Sequence, residues 1–175
     1  MFHECFHKAF PYVDISDQKL LEIGCGGSAW LPYFAKEFGF EVYDIDYSEL
    51  GCQQAAQVLE NEGVEGEILC ADFFSPPEHM LGDFDTVGSR GVVEHFEDTA
   101  AWASAFSKFL RPGGVMSLSL INFENLRGTP FYEVAVRLRS WITKAMWGAE
   151  RTMPMLRPNR WTSAFVGCVT KKPCV

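Results

Sequence analysis

Leu20-Leu21-Glu22-Ile23-Gly24-Cys25-Gly26-Gly27-Ser28 is the stretch whose reading decides the fold. Residues 19–23 (KLLEI) read as a short strand that stops at Gly24. The glycines behind it let backbone approach a ligand with no side chain in the way, and a helix is expected to open after them. That helix is expected from about Ala29 to Phe38, with Ser28 as its cap, Pro32 in its first turn and Gly39 just past its end. Taken alone, the loop has two readings. GCGGSA satisfies the dinucleotide fingerprint GxGxxG/A, with Asp44 and Asp46 near the offset of about 20 residues that such sites use. Glu22, two residues before the first glycine, points the other way. A carboxylate there suits a cationic ammonium or sulfonium group and repels a pyrophosphate.

Outward from the loop, strand-like and helix-like segments alternate, the pattern of a parallel sheet covered by helices. Residues 41–45 (EVYDI) read as a second strand. Ser48 then caps a helix to about Glu62, closed by Gly63. Residues 66–70 (GEILC) form a third strand and residues 85–89 (DTVGS) a weaker fourth, since Gly88 interrupts it. A helix over 99–110 is stopped by Arg111-Pro112-Gly113-Gly114, and residues 115–121 (VMSLSLI) make the fifth strand. Beyond Asn122 the pattern loosens. An apolar stripe predicts a helix over 131–146, residues 148–163 read as loop, and 164–171 read as a last strand. The fold class is therefore α/β, a Rossmann-like, doubly wound, mostly parallel sheet. It occupies one domain over 1–175, with a core at 19–121 and a divergent or shortened part at 122–175.

Composition bounds the function. The 175 residues are 47% hydrophobic and 22% charged, ordinary for a soluble globular domain. No apolar run reaches the ~18 residues of a membrane span, and the first ten residues lack the layout of a signal peptide. The six cysteines show no CxxC spacing, which suits reduced thiols in a cytoplasmic protein. The net charge of −8 divides unevenly: residues 1–126 carry 6 basic and 21 acidic residues, residues 127–175 carry 9 and 2. Attraction between two such surfaces of one fold accounts for this, and a basic tail meeting an acidic partner is the sharper alternative. An acidic chain argues against nucleic-acid binding.

Acidic and aromatic residues recur where strands end. Asp46-Tyr47 follows the second strand, Asp72-Phe73 the third, and Glu94-His95-Phe96 comes soon after the fourth. In a doubly wound sheet these ends converge on one crevice. Carboxylates and rings gathered there fit a ligand with ribose hydroxyls, an adenine amine and a positive methionyl end. Helix capping explains any one acid alone, but not their recurrence.

These motifs resemble those of class I S-adenosylmethionine-dependent methyltransferases. LLEIGCGGS is similar to their first motif, DIDYSELGCQQA to the second, ADFF to the third, and SRGVVEHFED with FLRPGG to the fourth and the segment after it. The resemblance covers residues 19–121. It implies that Gly24, Cys25 and Gly26 lay backbone against the methionyl part of S-adenosyl-L-methionine, with Glu22 supporting the ammonium. It implies ribose contacts for Asp46, adenine packing for Tyr47, the adenine amine for Asp72 and a backbone N–H at Phe73. Ser89 and Arg90 are implied to give backbone contacts at the methionyl end. The expected reaction is methyl transfer to an oxygen or nitrogen nucleophile of a small molecule, with His95 as the candidate base. The alternative for His95 is an imidazole that only fixes its loop.

VVEH also resembles ubiquinone-pathway O-methyltransferases, in some of which an acid three residues before the Glu completes a metal site. Gly91 stands there in this chain, so no metal is expected. His3 and His7 have chelating spacing, but Phe2, Phe6 and Phe10 beside them read as a packing face. Residues 120–128 resemble a family segment without its usual proline. Two other functions stay open: an inactive or partner-dependent cofactor-binding domain, and a nicotinamide-dependent oxidoreductase. The sequence gives neither the acceptor nor the oligomeric state.

Overall fold

The computed structural model describes residues 18–92, 95–96, 98–120 and 164–170. Six strands form one sheet in the order β3-β2-β1-β4-β5-β6. They are β1 (Lys19–Ile23), β2 (Glu41–Asp46), β3 (Gly66–Cys70), β4 (Phe84–Arg90), β5 (Leu110–Leu120) and β6 (Ala164–Thr170), with helices α1 (Trp30–Phe38), α2 (Glu49–Glu62) and α3 (Thr99–Phe109). The first five strands pair in parallel, and β6 runs antiparallel along β5 from Val115↔Thr170 to Leu120↔Ala164. The chain leaves β1 for β2 and β3 on one side and returns to β4 on the other. The β1/β4 boundary is therefore the point where strand order reverses, and it opens a crevice at the carboxyl ends.

The central strand is buried on both faces from Leu20 to Ile23, and it carries the charged Glu22 into the interior. One face packs Leu20 and Val42 against Leu31, Phe34, Ala55 and Leu59 of α1 and α2. The other packs Leu21, Ile23, Ile45 and Val87 against Trp102, Phe106 and Phe109 of α3. Trp102 and Phe106 stack with ring centroids 4.1 Å apart. Truncating either of these rings to alanine costs about 3–5 kcal/mol.

Helix α2 begins as its sequence predicts: the Ser48 Oγ accepts the Gly51 N–H at 3.2 Å, and Gly63 closes it with a φ of 63°. Helix α1 corrects its expected cap. Ala29 occupies the N-cap position with no side-chain bond, while the Ser28 hydroxyl accepts the Trp30 N–H at 3.1 Å from one residue further out.

A second correction concerns Arg111-Pro112-Gly113-Gly114, expected to separate α3 from the fifth strand. Strand β5 already starts at Leu110, paired with Phe84, and the ladder resumes at Thr86↔Val115 after a register shift. The four residues bulge within the strand, with Gly113 at φ 88° and Arg111 ion-paired to Asp85 of β4. A Cβ on Gly114 would lie 3.0 Å from two carbonyl oxygens of β4, so the glycine permits the close approach. The helix expected over 131–146, the loop over 148–163 and the His3/His7 pair lie outside the described residues.

Candidate functional site

The glycine turn is held from beneath. Gly24 takes a φ of 73° and donates its N–H to the Ile45 carbonyl at 2.9 Å. A Cβ at Gly24 would sit 2.8 Å from the Val92 side chain, so both the dihedral and the space demand glycine. The Cys25 N–H donates to Asp44 Oδ1 at 3.2 Å. Asp44 is fully buried, and this burial pushes its carboxyl up to about 7, with Glu22 and Asp46 adding to the effect and the Cys25 N–H opposing it. Burial together with the same acids pushes the Cys25 thiol well above its ordinary range, so Cys25 fills the turn as a neutral thiol.

Glu22 and Asp44 are register neighbours on β1 and β2. Arg90, at the end of β4, reaches over Gly88, which pairs with Glu22. Its Nη1 lies 2.5 Å from Glu22 Oε1, with the two side chains 9% and 1% exposed. The guanidinium also lies over the Trp30 ring at 5.2 Å and the Phe34 ring at 4.6 Å. Glu22 is thus committed to Arg90 through one oxygen. Its Oε2 and Asp44 Oδ2 are buried without a hydrogen-bond partner among the described residues. The Ser89 Oγ donates to the Ile23 carbonyl at 3.1 Å, tying the end of β4 to the end of β1.

In front of the turn lies a cleft of about 780 Å³. Of the residues singled out in the sequence, Gly24, Asp46, Tyr47, Asp72, Phe73 and His95 line it. Glu22, Cys25, Gly26, Ser89 and Arg90 are not among its lining residues. They stand around and behind the glycine turn.

Asp46 closes β2 and is 8% exposed. Its Oδ1 accepts the Ser48 N–H at 2.9 Å, and a Cβ on Gly51 would lie 2.6 Å from its Oδ2. Gly51 therefore tolerates its helical position, which costs glycine about 1 kcal/mol, because the carboxylate needs the space. Tyr47 is 86% exposed. Asp72 is exposed, and its Oδ1 accepts the Phe74 N–H at 2.9 Å, folding the loop after β3 back on itself. Phe73 packs on Phe74, Phe96 and Phe106 at centroid distances of 4.3, 5.6 and 6.2 Å. His95 is exposed, and its backbone N–H donates to the Val92 carbonyl at 3.0 Å.

Sequence reading missed Leu50, Gly51 and Gln54, which also line the cleft. A signal existed: Tyr47, Leu50 or Gly51, and Gln54 follow the three-to-four spacing of one helical face, and Leu50 is an apolar residue left 64% exposed. Phe74 carried no comparable signal, because two adjacent phenylalanines read equally well as core.

The comparisons with known proteins bear on the family and the fold. A family model described as methyltransferase domain matches residues 3–165. A ubiquinone biosynthesis O-methyltransferase of Caulobacter sp. (strain K31) is 34% identical over 104 residues, 59% of this chain and 41% of that protein. Phosphoethanolamine N-methyltransferase 1 of Zea mays is 29% identical over 132 residues, 70% of this chain and 24% of that protein. The chain thus spans less than half the length of both relatives. A structure from Methanococcus maripaludis, assigned to the S-adenosyl-L-methionine-dependent methyltransferases, has the same fold. Its TM-score is 0.73 at 17% identity, over 99% of this chain and 85% of that one. The chain belongs to the methyltransferase domain family, the class I enzymes whose cofactor is S-adenosylmethionine.

Proposed function

We propose that this chain binds S-adenosylmethionine in the cleft before the glycine turn and methylates an oxygen or nitrogen nucleophile of a small molecule. The observation that carries the reading is the convergence of Asp46, Tyr47, Asp72 and Phe73, from the ends of two successive strands, on a cleft that begins at Gly24. The residues present fit the cofactor. The turn excludes any side chain at Gly24, and buried carboxylate oxygens of Glu22 and Asp44 lie unpaired among the described residues behind it. Orphaned acceptors of this kind take hydrogen bonds from a donor group such as an ammonium.

When bound, S-adenosylmethionine supplies a methyl group already activated on a sulfonium centre. The chain's own work is then alignment and exclusion of water. Asp46 would hold the ribose hydroxyls, Tyr47 the adenine, and Asp72 with the Phe73 N–H the polar groups of the adenine. Alignment of this kind is worth effective molarities of ~10⁵ M and more. His95, on the cleft wall, takes the proton that the acceptor loses, a contribution of about 10²–10⁴-fold. The names of the Caulobacter and maize relatives specify an oxygen and a nitrogen methylation, which is the support for that range of acceptors.

Calorimetry with S-adenosylhomocysteine on the wild type and Asp46→Ala tests the binding site. Absence of binding, or binding indifferent to Asp46, overturns it. Methyl transfer to a panel of phenols, amines and carboxylates tests the activity. Silence across the panel with binding intact favours a domain that needs a partner to hold its acceptor.

A further inference from the structure

Two thiols meet at the edge of the cleft without a role in the reading above. Cys70 ends β3 opposite Asp46, its register partner on β2. Cys52 lies in the first turn of α2. Its Sγ donates to the Asp46 carbonyl at 3.5 Å, while the Cys70 Sγ donates to the Tyr47 carbonyl at 4.0 Å. Both sulfurs therefore hang on consecutive carbonyls of one turn. A strand end and a helix start, 18 positions apart in sequence, thus bring their thiols to the two carbonyls of the Asp46-Tyr47 turn. Cys70 is exposed and Cys52 half-buried.

From this geometry we infer that Cys52 and Cys70 are a dithiol which a low-molecular-weight disulfide oxidises to an intramolecular bond across the Asp46-Tyr47 turn. The inference does not depend on the cofactor. The exposed Cys70 thiolate attacks one sulfur of the small disulfide and expels the first small thiol. The Cys52 thiolate then attacks Cys70 Sγ and expels the second. Two protein S–H groups are oxidised to one S–S bond, and one small disulfide is reduced to two thiols that carry away the protons.

Exposure sets this order. Burial, then Cys70 and the nearby Asp46 and Asp44, push the Cys52 thiol up to about 12, so it is a poor first nucleophile but suits the second, intramolecular step. An S–S bond of about 2.05 Å draws both sulfurs off the carbonyls they now hold. The turn that carries Asp46 and Tyr47 into the cleft then loses both thiol donors and gains a covalent tie from α2 to β3.

The test incubates the reduced full-length chain with oxidised glutathione, blocks remaining thiols and maps the peptides by mass. The expected product is one linked pair, Cys52 with Cys70, reversed by reduced glutathione. Cys52→Ser is expected to stop the reaction at a glutathione adduct on Cys70, and Cys70→Ser to prevent the link. The same samples are titrated with S-adenosylhomocysteine, and the oxidised wild type is expected to bind it more weakly than the reduced one. A stable adduct on wild-type Cys70, or a link from either residue to another cysteine, overturns the inference. Equal affinity of the linked and reduced forms overturns its effect on the turn. Absence of binding by the reduced chain strikes at the cofactor reading instead and leaves the peptide map to decide this one.

Discussion

Behind the glycine turn Glu22 and Asp44 are 1% and 0% exposed, with the Arg90 side chain 9% exposed beside them; on the wall of the cleft Tyr47, Asp72 and His95 stand in solvent. The two regions use the same residue types for different ends. The buried charges are fixed by folding, and their desolvation is offset only while every partner is in place. The exposed groups carry almost no folding energy and are free to be spent on a ligand. Substitutions behind the turn should therefore register as stability, and substitutions on the rim as affinity.

The largest effect is expected from Arg90→Met. It strips Glu22 of its buried counter-ion and should cost about 3–5 kcal/mol in urea unfolding. Adding Glu22→Gln to the same chain should recover much of that loss, since the uncompensated charge is gone. A single-variant loss below about 1 kcal/mol would place the pair with ordinary surface bridges and erase the contrast.

Asp44 comes next, through pH. Its carboxyl sits at about 7 in the fold against ~3.9 in an unfolded chain. Between those values the unfolded chain has lost a proton that the fold retains. This group's contribution is therefore fully present below about pH 4, falls by at most ~1.4 kcal/mol per pH unit up to about 7, and is then flat. Asp44→Asn should flatten that decline when unfolding is followed at about pH 5 and pH 7. The same slope in both proteins would assign the titration to another group.

At the border of the two regions, Asp46→Ala should weaken S-adenosylhomocysteine binding by about 1.5–3 kcal/mol, the worth of hydrogen bonds to a charged group. Stability should move less, because Ser48 still caps α2 through its own hydroxyl. Tyr47→Ala is the smallest case. Stability should stay within about 0.5 kcal/mol, while affinity falls by about 1–2 kcal/mol if the ring covers adenine. Unchanged affinity would remove Tyr47 from the site.

The rim was largely legible in the sequence, because its residues follow strand ends that periodicity locates. Asp46-Tyr47 and Asp72-Phe73 could be placed from EVYDI and GEILC alone, and Ser48 and Gly63 bounded α2 by local chemistry. Arg111–Gly114 misled for the converse reason. A Pro-Gly-Gly run is a stop signal locally, and only the neighbouring strand, through Asp85 and the close approach at Gly114, keeps it within β5.

What the sequence by itself determined is the order of strands and helices, the glycine turn and the acid-aromatic pairs behind β2 and β3, since these depend on side-chain period and on residues a few positions apart. Only the tertiary structure decided that Glu22 meets Arg90, 68 positions away, that Asp44 holds the turn from beneath, and that Cys52 and Cys70 share one bend. The physical reason is that parallel pairing of β1 with both β2 and β4 joins distant segments edge to edge. Whether a charge there is dry or wet depends on what packs over it.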